Sequence, residues 1–156
     1  MGRMFHMEHK LDKKDLQILE ILKNNSEYTT REIARKTLLP VTTIHNRIKK
    51  MRKTGVIKKY TIEPDYKKIN KGFLVYVLIT ANLSALKEKK RTQYDLADEI
   101  KKFHFVEKVD ITTGGADLVV VIRVKDVEEF NKVLLGKLQL VEGIDNTRSL
   151  ISIYQK

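Results

Sequence analysis

The chain has no cysteine and no tryptophan, only two prolines, and no acidic residue between Glu32 and Glu63. Without cysteine there are no disulfides, thiolate nucleophiles or cysteine-ligated zinc, which suits a reducing compartment and makes a cytoplasmic location the expectation. Apolar runs are short. The longest, Phe73 to Ile79, holds seven residues, against the ~20 that a membrane helix needs, so no membrane partner is expected. The opening MGRMFHMEHK lacks a contiguous apolar core and does not read as a secretory signal, while Met4 and Met7 leave the start codon open. Gly114-Gly115 is not followed by the Lys-Ser/Thr of a phosphate-binding loop. None of His6, His9, His45 and His104 sits in a zinc-enzyme spacing. Only His6 and His9 are spaced to share a metal, and a site there is not expected; His104, before Phe105, reads as a packing or capping residue. Glu128-Glu129 open a helix, where acids favour the dipole, so they do not read as a catalytic carboxylate pair. With neither nucleophile nor metal set, the chain is expected not to be an enzyme and to need no cofactor.

What is present is positive charge, unevenly spread. The net charge is +11 over 156 residues. Residues 1–66 carry 15 basic and 8 acidic groups, a net of +7, and residues 67–156 carry 16 and 12, a net of +4. The acid-free gap alone contains Arg35, Lys36, Arg47, Lys49, Lys50, Arg52, Lys53, Lys58 and Lys59. Such asymmetry points to a polyanion as the partner of the N-terminal half.

The first half reads as three helices. Asp12 caps one that begins at Lys13, with Asp15 in its first turn and an apolar face of Leu16, Ile18, Leu19, Ile21 and Leu22 ending at Asn24-Asn25. Thr29 and Glu32 stand at capping-box spacing for a second, Thr30 to Lys36, which turns Ile33 and Ala34 inward. Pro40 interrupts. A third runs from Val41 to Lys53 and stops at Gly55, and Val56 to Ile62 has the alternation of a short strand. The second half reads β-α-β-β-α-β: a strand over Gly72–Leu83, a helix over Thr92–Phe103, two strands joined across Gly114-Gly115, a helix capped by Asp126 and a final strand in the region 141–155. The expected fold class is α+β, an N-terminal helix-turn-helix domain (1–62) and a linker (63–72), then a ferredoxin-like β-α-β-β-α-β sandwich (73–156).

On a helical wheel the third helix separates sharply. Ile44, Ile48 and Met51 form the buried stripe. Opposite them lie Thr42, Asn46, Lys49 and Lys53, flanked by Thr43 and Lys50, with His45, Arg47 and Arg52 on the borders. A merely solvated face would gain from Glu–Lys pairs four residues apart, and this one has none. Short polar side chains toward the N-terminal end suit base edges, and cations suit phosphates. Thr42, Thr43, His45, Asn46 and Lys49 are therefore the expected groove-facing residues, with Arg47, Lys50, Lys53 and Lys58 nearer phosphate. The competing reading of the same face is a basic module that docks an acidic protein.

The stretches LDKKDLQILEILKNN, TTREIARKT and TTIHNRIKKMRKTGVIKKY, in that order and followed by the β-α-β-β-α-β remainder, resemble the leucine-responsive/asparagine-synthesis regulator (Lrp/AsnC, feast/famine) family. The resemblance covers nearly the whole chain from Leu11. It implies a transcription regulator whose winged helix-turn-helix domain is joined by a hinge to a dimerising, effector-sensing domain. It also implies that the strand after the recognition helix, here Val56–Ile62, pairs with its counterpart in a second subunit, and that the sensing sheets, around Val75 and Val119, pack face to face. A homodimer, or a higher oligomer, would then place two recognition helices about one DNA turn apart, ~34 Å, on a pseudo-palindromic double-stranded site.

TTGGADLVV (Thr112–Val120) falls where the family carries its Thr-Gly-x-x-Asp turn, which resembles an amino-acid effector site. Thr113, Gly114, Gly115 and Asp117 are the corresponding candidates, with Arg148 and Ser149 secondary. Two glycines let backbone amides approach a carboxylate, and Asp117 suits an amino group. The plain alternative is a tight hairpin that Asp117 closes. Ala116 departs from the larger residue common there in the family. The functional expectation is thus a sequence-specific regulator modulated by an amino acid or related small molecule. Its main alternative is an architectural DNA-binding protein of low sequence specificity.

Overall fold

The computed structural model describes residues 10–155, and the chain divides between Glu63 and Pro64 into two compact units. Met4, Met7, His6 and His9 lie outside the described residues.

In the first unit, α1 (Lys13–Asn24) starts at Asp12, whose carboxylate accepts the Asp15 amide at 2.8 Å while the Asp15 carboxylate accepts the Asp12 amide at 3.2 Å. This reciprocal box satisfies two of the amides that every helix start leaves without a partner. The apolar face is narrower than the leucine count suggests. Ile18 and Leu22 are buried, Leu16 is exposed, and the position one turn before Ile18 on the buried stripe belongs to Asp15. α2 (Thr30–Thr37) opens on the Thr29–Glu32 box and buries Ile33 and Ala34. It ends at Leu38, whose left-handed φ of 56° is costly for a residue with a Cβ. α3 (Val41–Lys53) buries Ile44 and Met51, with Ile48 partly covered, against Ile18, Leu22 and Ile33. Gly55 follows it at φ 76°.

Within the single chain, Val56–Ile62 pairs with no strand among the described residues. A strand exists only through a ladder, and among the described residues the first unit holds no second strand to supply one. Ile57 instead donates its amide to the Met51 carbonyl at 3.1 Å, and Val56 and Ile57 fold back onto the helical core.

The second unit is a four-stranded antiparallel sheet in the order β2-β3-β1-β4, built from β1 (Phe73–Ala81), β2 (Val106–Ile111), β3 (Leu118–Val124) and β4 (Ile144–Ile151). Its helices are α4 (Leu83–Glu88), α5 (Gln93–Lys101) and α6 (Val127–Gly136), with a 3-10 turn over Leu138–Leu140. The β-α-β-β-α-β frame stands; α4 and the 3-10 turn are additions to it. Alternation along β1 and β3 sends Val75, Val77, Ile79, Leu118, Val120 and Ile122 into one core with Leu96 and Ile100 of α5 and Phe130 and Val133 of α6. The opposite sheet face carries Tyr76, Leu78, Val119, Val121 and Leu150, aligned across the register Tyr76–Val121, Leu78–Val119 and Tyr76–Leu150. Tyr76 and Leu150 are exposed there.

Candidate nucleic-acid interface and effector turn

Burial of Ile44 and Met51 fixes which face α3 shows. Thr42, His45, Asn46, Lys49, Lys50 and Lys53 are exposed, as is Lys58 beyond the helix, and Thr43 is half-buried. Among the described residues, the side chains of these eight make no hydrogen bond or ion pair within the chain. Pro40 gives α3 no side-chain cap and the first turn has no acid. The first turn of α3 itself thus brings neither cap nor acid to the positive end of its dipole beside Thr42 and Thr43. His45, Lys49, Lys53 and Lys58 also share a concave depression of about 710 Å³ with Thr30 and Arg52. A concave wall with several cations and no carboxylate concentrates positive potential at a scale suited to phosphate. The wheel did not single out Arg52 for this surface; its guanidinium lies 5.9 Å from the Tyr60 ring.

Arg47 differs from its neighbours. Its Nη1 donates to Asp12 Oδ2 at 2.7 Å and to Asp15 Oδ1 at 2.8 Å, and Asp15 is only 2% exposed. The Asp15 amide first, and the Arg47 guanidinium second, hold the Asp12 carboxyl below its ordinary value of 3.8. Asp15 and then Asp12 raise the Arg47 pKa in turn. The sequence placed Arg47 nearer phosphate; in the structure its Nη1 bonds both acids, tying α3 to the start of α1. Its partners lie 35 and 32 positions upstream, so no local spacing announces them.

In the second unit the turn between β2 and β3 is a hairpin. Thr112 donates its amide to the Asp117 carbonyl at 2.8 Å and its hydroxyl to the Ala116 carbonyl at 2.7 Å. Thr113, Gly114 and Gly115 are exposed, and Gly114 sits at φ 110°, where a side chain would be strained. Asp117 Oδ2 accepts the Ala81 amide at 2.8 Å and Oδ1 accepts from Gln93 Nε2 at 3.1 Å. The β1–β3 register ends at Ile79–Leu118, so the carboxylate caps an amide that the ladder no longer serves. The Asp117 carbonyl thus closes the turn, while its carboxylate ties the turn to β1 and α5. A small hollow of about 110 Å³ lies against Gly115 and Ala116, walled by Leu78, Thr80, Asn146 and Arg148. Thr113, Gly114 and Asp117 are not among its walls. Thr80 and Asn146 went unmarked in the sequence, because only the β1–β4 register brings them side by side. Among the described residues no group of three His, Asp or Glu side chains is placed to hold a metal ion, and no helix is long and apolar enough to cross a membrane.

Two family descriptions match this chain: winged helix-turn-helix DNA-binding over residues 11–58, and Lrp/AsnC ligand binding domain over residues 75–156. An uncharacterized HTH-type transcriptional regulator of Pyrococcus horikoshii is 34% identical over 146 residues, 94% of this chain and 95% of that protein. The HTH-type transcriptional regulator FL11 of Pyrococcus furiosus is 36% identical over 141 residues, 90% of this chain and 88% of FL11. Among solved structures, the Neisseria meningitidis transcriptional regulator NMB0573 in complex with L-Met superposes with a TM-score of 0.83 at 21% identity, covering 93% of this chain and 91% of that one. Escherichia coli AsnC gives 0.79 at 23%, covering 93% of each. At those identities the two structures speak to the fold.

Proposed function

The chain belongs to the Lrp/AsnC family of transcription regulators, and from that premise we propose that it binds specific double-stranded DNA sites through α3 and answers to a small amino-acid-like effector. One observation carries the DNA half: an acid-free helix exposes Thr42, His45, Asn46 and Lys49 toward its N-terminal half and cations beyond them, without internal partners. Thr43, half-buried beside them, reads with the groove-facing set, and Lys50, Lys53 and Lys58 with the phosphates. Asn bonds adenine at two atoms and Thr brings a methyl to thymine, whereas the cations give affinity without sequence information. Domain bounds of 1–62 and 73–156 with a linker between follow from the same reading.

The second unit is proposed as the assembly and sensing part. Its open sheet face, with Tyr76, Leu78, Val119, Val121 and Leu150, gains cover when a second copy packs on it. A two-fold axis through that face makes the DNA site pseudo-palindromic. The effector reading rests on Gly115 and Arg148, which line one small hollow, with Thr113 and Gly114 preceding Gly115 in the same turn; a guanidinium there suits a carboxylate. The Neisseria relative's complex with L-Met makes amino acids the first compounds to try.

Selection from random duplexes at stated salt tests the DNA half, the expected product being an inverted repeat. Calorimetry with the twenty amino acids, followed by a DNA-shift assay with any that binds, tests the effector half. The excess of cations favours one alternative, an architectural coat. Under that reading selection enriches nothing while affinity still falls steeply with salt.

A further inference from the structure

Thr43, Asn46 and Lys50 of α3 line a depression of about 420 Å³ whose other walls include Asp12, Asp15 and Arg47. The face read as DNA-facing therefore borders directly on the capping box of α1. That box needs its carboxylates, because Asp12 and Asp15 each accept the other's backbone amide. A DNA-binding surface, however, is weakened by any anion beside it, since phosphates a few ångströms away repel it. The two requirements meet at this corner, where Arg47 donates to both carboxylates, at 2.7 and 2.8 Å.

We propose that Arg47 is a positioning and shielding residue, which masks the Asp12–Asp15 capping box from DNA phosphates and holds α3 against α1, rather than a phosphate contact. The inference rests on the DNA-binding reading above and adds a role that this reading did not hold. Lys10 and Lys50 line the same depression, so each variant is counted relative to wild type. Removing Arg47 takes one positive charge from the corner and leaves the half-exposed Asp12 carboxylate beside the duplex. Removing Arg47 and the Asp12 charge together restores the wild-type charge. Asp12→Asn keeps an oxygen that can accept the Asp15 amide, because Asn caps helices about as well as Asp. Charge and cap are thereby separated.

The experiment measures duplex affinity and its salt slope for wild type, Asp12→Asn, Arg47→Ala and Asp12→Asn/Arg47→Ala, with thermal unfolding of each as the check on folding. Arg47→Ala is expected to lose about tenfold in affinity at low salt. Asp12→Asn alone is expected to bind like wild type or a few-fold tighter. The double variant is expected to recover most of the loss and the wild-type salt slope, a recovery that a purely structural role for Arg47 would not produce. If Arg47→Ala is too unstable with Asp15 left behind, Arg47→Ala/Asp15→Asn has the same corner charge as wild type and is expected to bind like it. A double variant as weak as Arg47→Ala, with a slope shallower by about 1, would mean that Arg47 itself neutralises a phosphate and would overturn the proposal. So would an Arg47→Ala protein that binds as well as wild type. If wild type binds no duplex at all, the DNA-binding reading fails first and takes this proposal with it.

Discussion

Individual side chains on α3 divide by what they touch, and the division is measurable. Lys50 is exposed and has no internal partner among the described residues, so Lys50→Ala should weaken binding to every duplex alike and lower the salt slope by about 1. Asn46→Ala should leave that slope alone and relax base choice at one position in each half-site, which a comparison of selected motifs reads directly. Asp117 belongs to a different class. Its carboxylate serves the Ala81 amide and Gln93, so Asp117→Ala should cost about 1–3 kcal/mol in thermal or denaturant unfolding, the price of an amide left bare. Asp117→Asn, which keeps an acceptor, should cost less. The sequence made most of α3 legible at this scale, because a period of 3.6 sorts buried from exposed without knowledge of the partner. It left the pairing of Arg47 illegible, because the acids that it bonds stand more than thirty positions away.

Elements were legible where their signals are local. The Thr29–Glu32 box, the Asp12 and Asp126 caps and the stop at Gly55 are all read from residues within four positions of one another. Val56–Ile62 has no ladder among the described residues of the single chain, because β character is settled by a partner strand, which the family resemblance puts in a second subunit. α4 was missed because six residues are too few for a period. Glu32 also gives the α2 start a pH dependence. Thr29, by its amide and then its hydroxyl, holds the Glu32 carboxyl below its ordinary value of 4.5. A carboxyl lowered on folding stabilises fully above that ordinary value, and the gain is lost as pH falls through the lowered one. The unfolding midpoint should therefore drop below about pH 4.5. Thr29→Ala should cost about 1 kcal/mol at neutral pH and flatten part of that acid limb. Between α6 and β4, Gly143 combines a φ of 99° with a position where an added Cβ would stand 2.5 Å from Leu86 Cδ2. Gly143→Ala should lower stability by about 2 kcal/mol or more, from strain and overlap together.

At the scale of the whole chain, two units with different charge and different architecture divide the work proposed for them. The first presents α3; the second leaves one sheet face apolar and open, which a second copy is proposed to cover. Tyr76→Lys, a charge on that face, should shift the protein toward monomer in sedimentation and weaken DNA binding by removing the second half-site. The claim on which the rest depends is that affinity follows sequence and not merely charge. The most direct test is the ratio of dissociation constants for the selected site and an unrelated duplex of equal length, measured at one fixed salt concentration near physiological. The account predicts a ratio of about 10³ or more, falling with Asn46→Ala and surviving Lys50→Ala. A ratio near one, with both affinities collapsing together as salt rises, would contradict it.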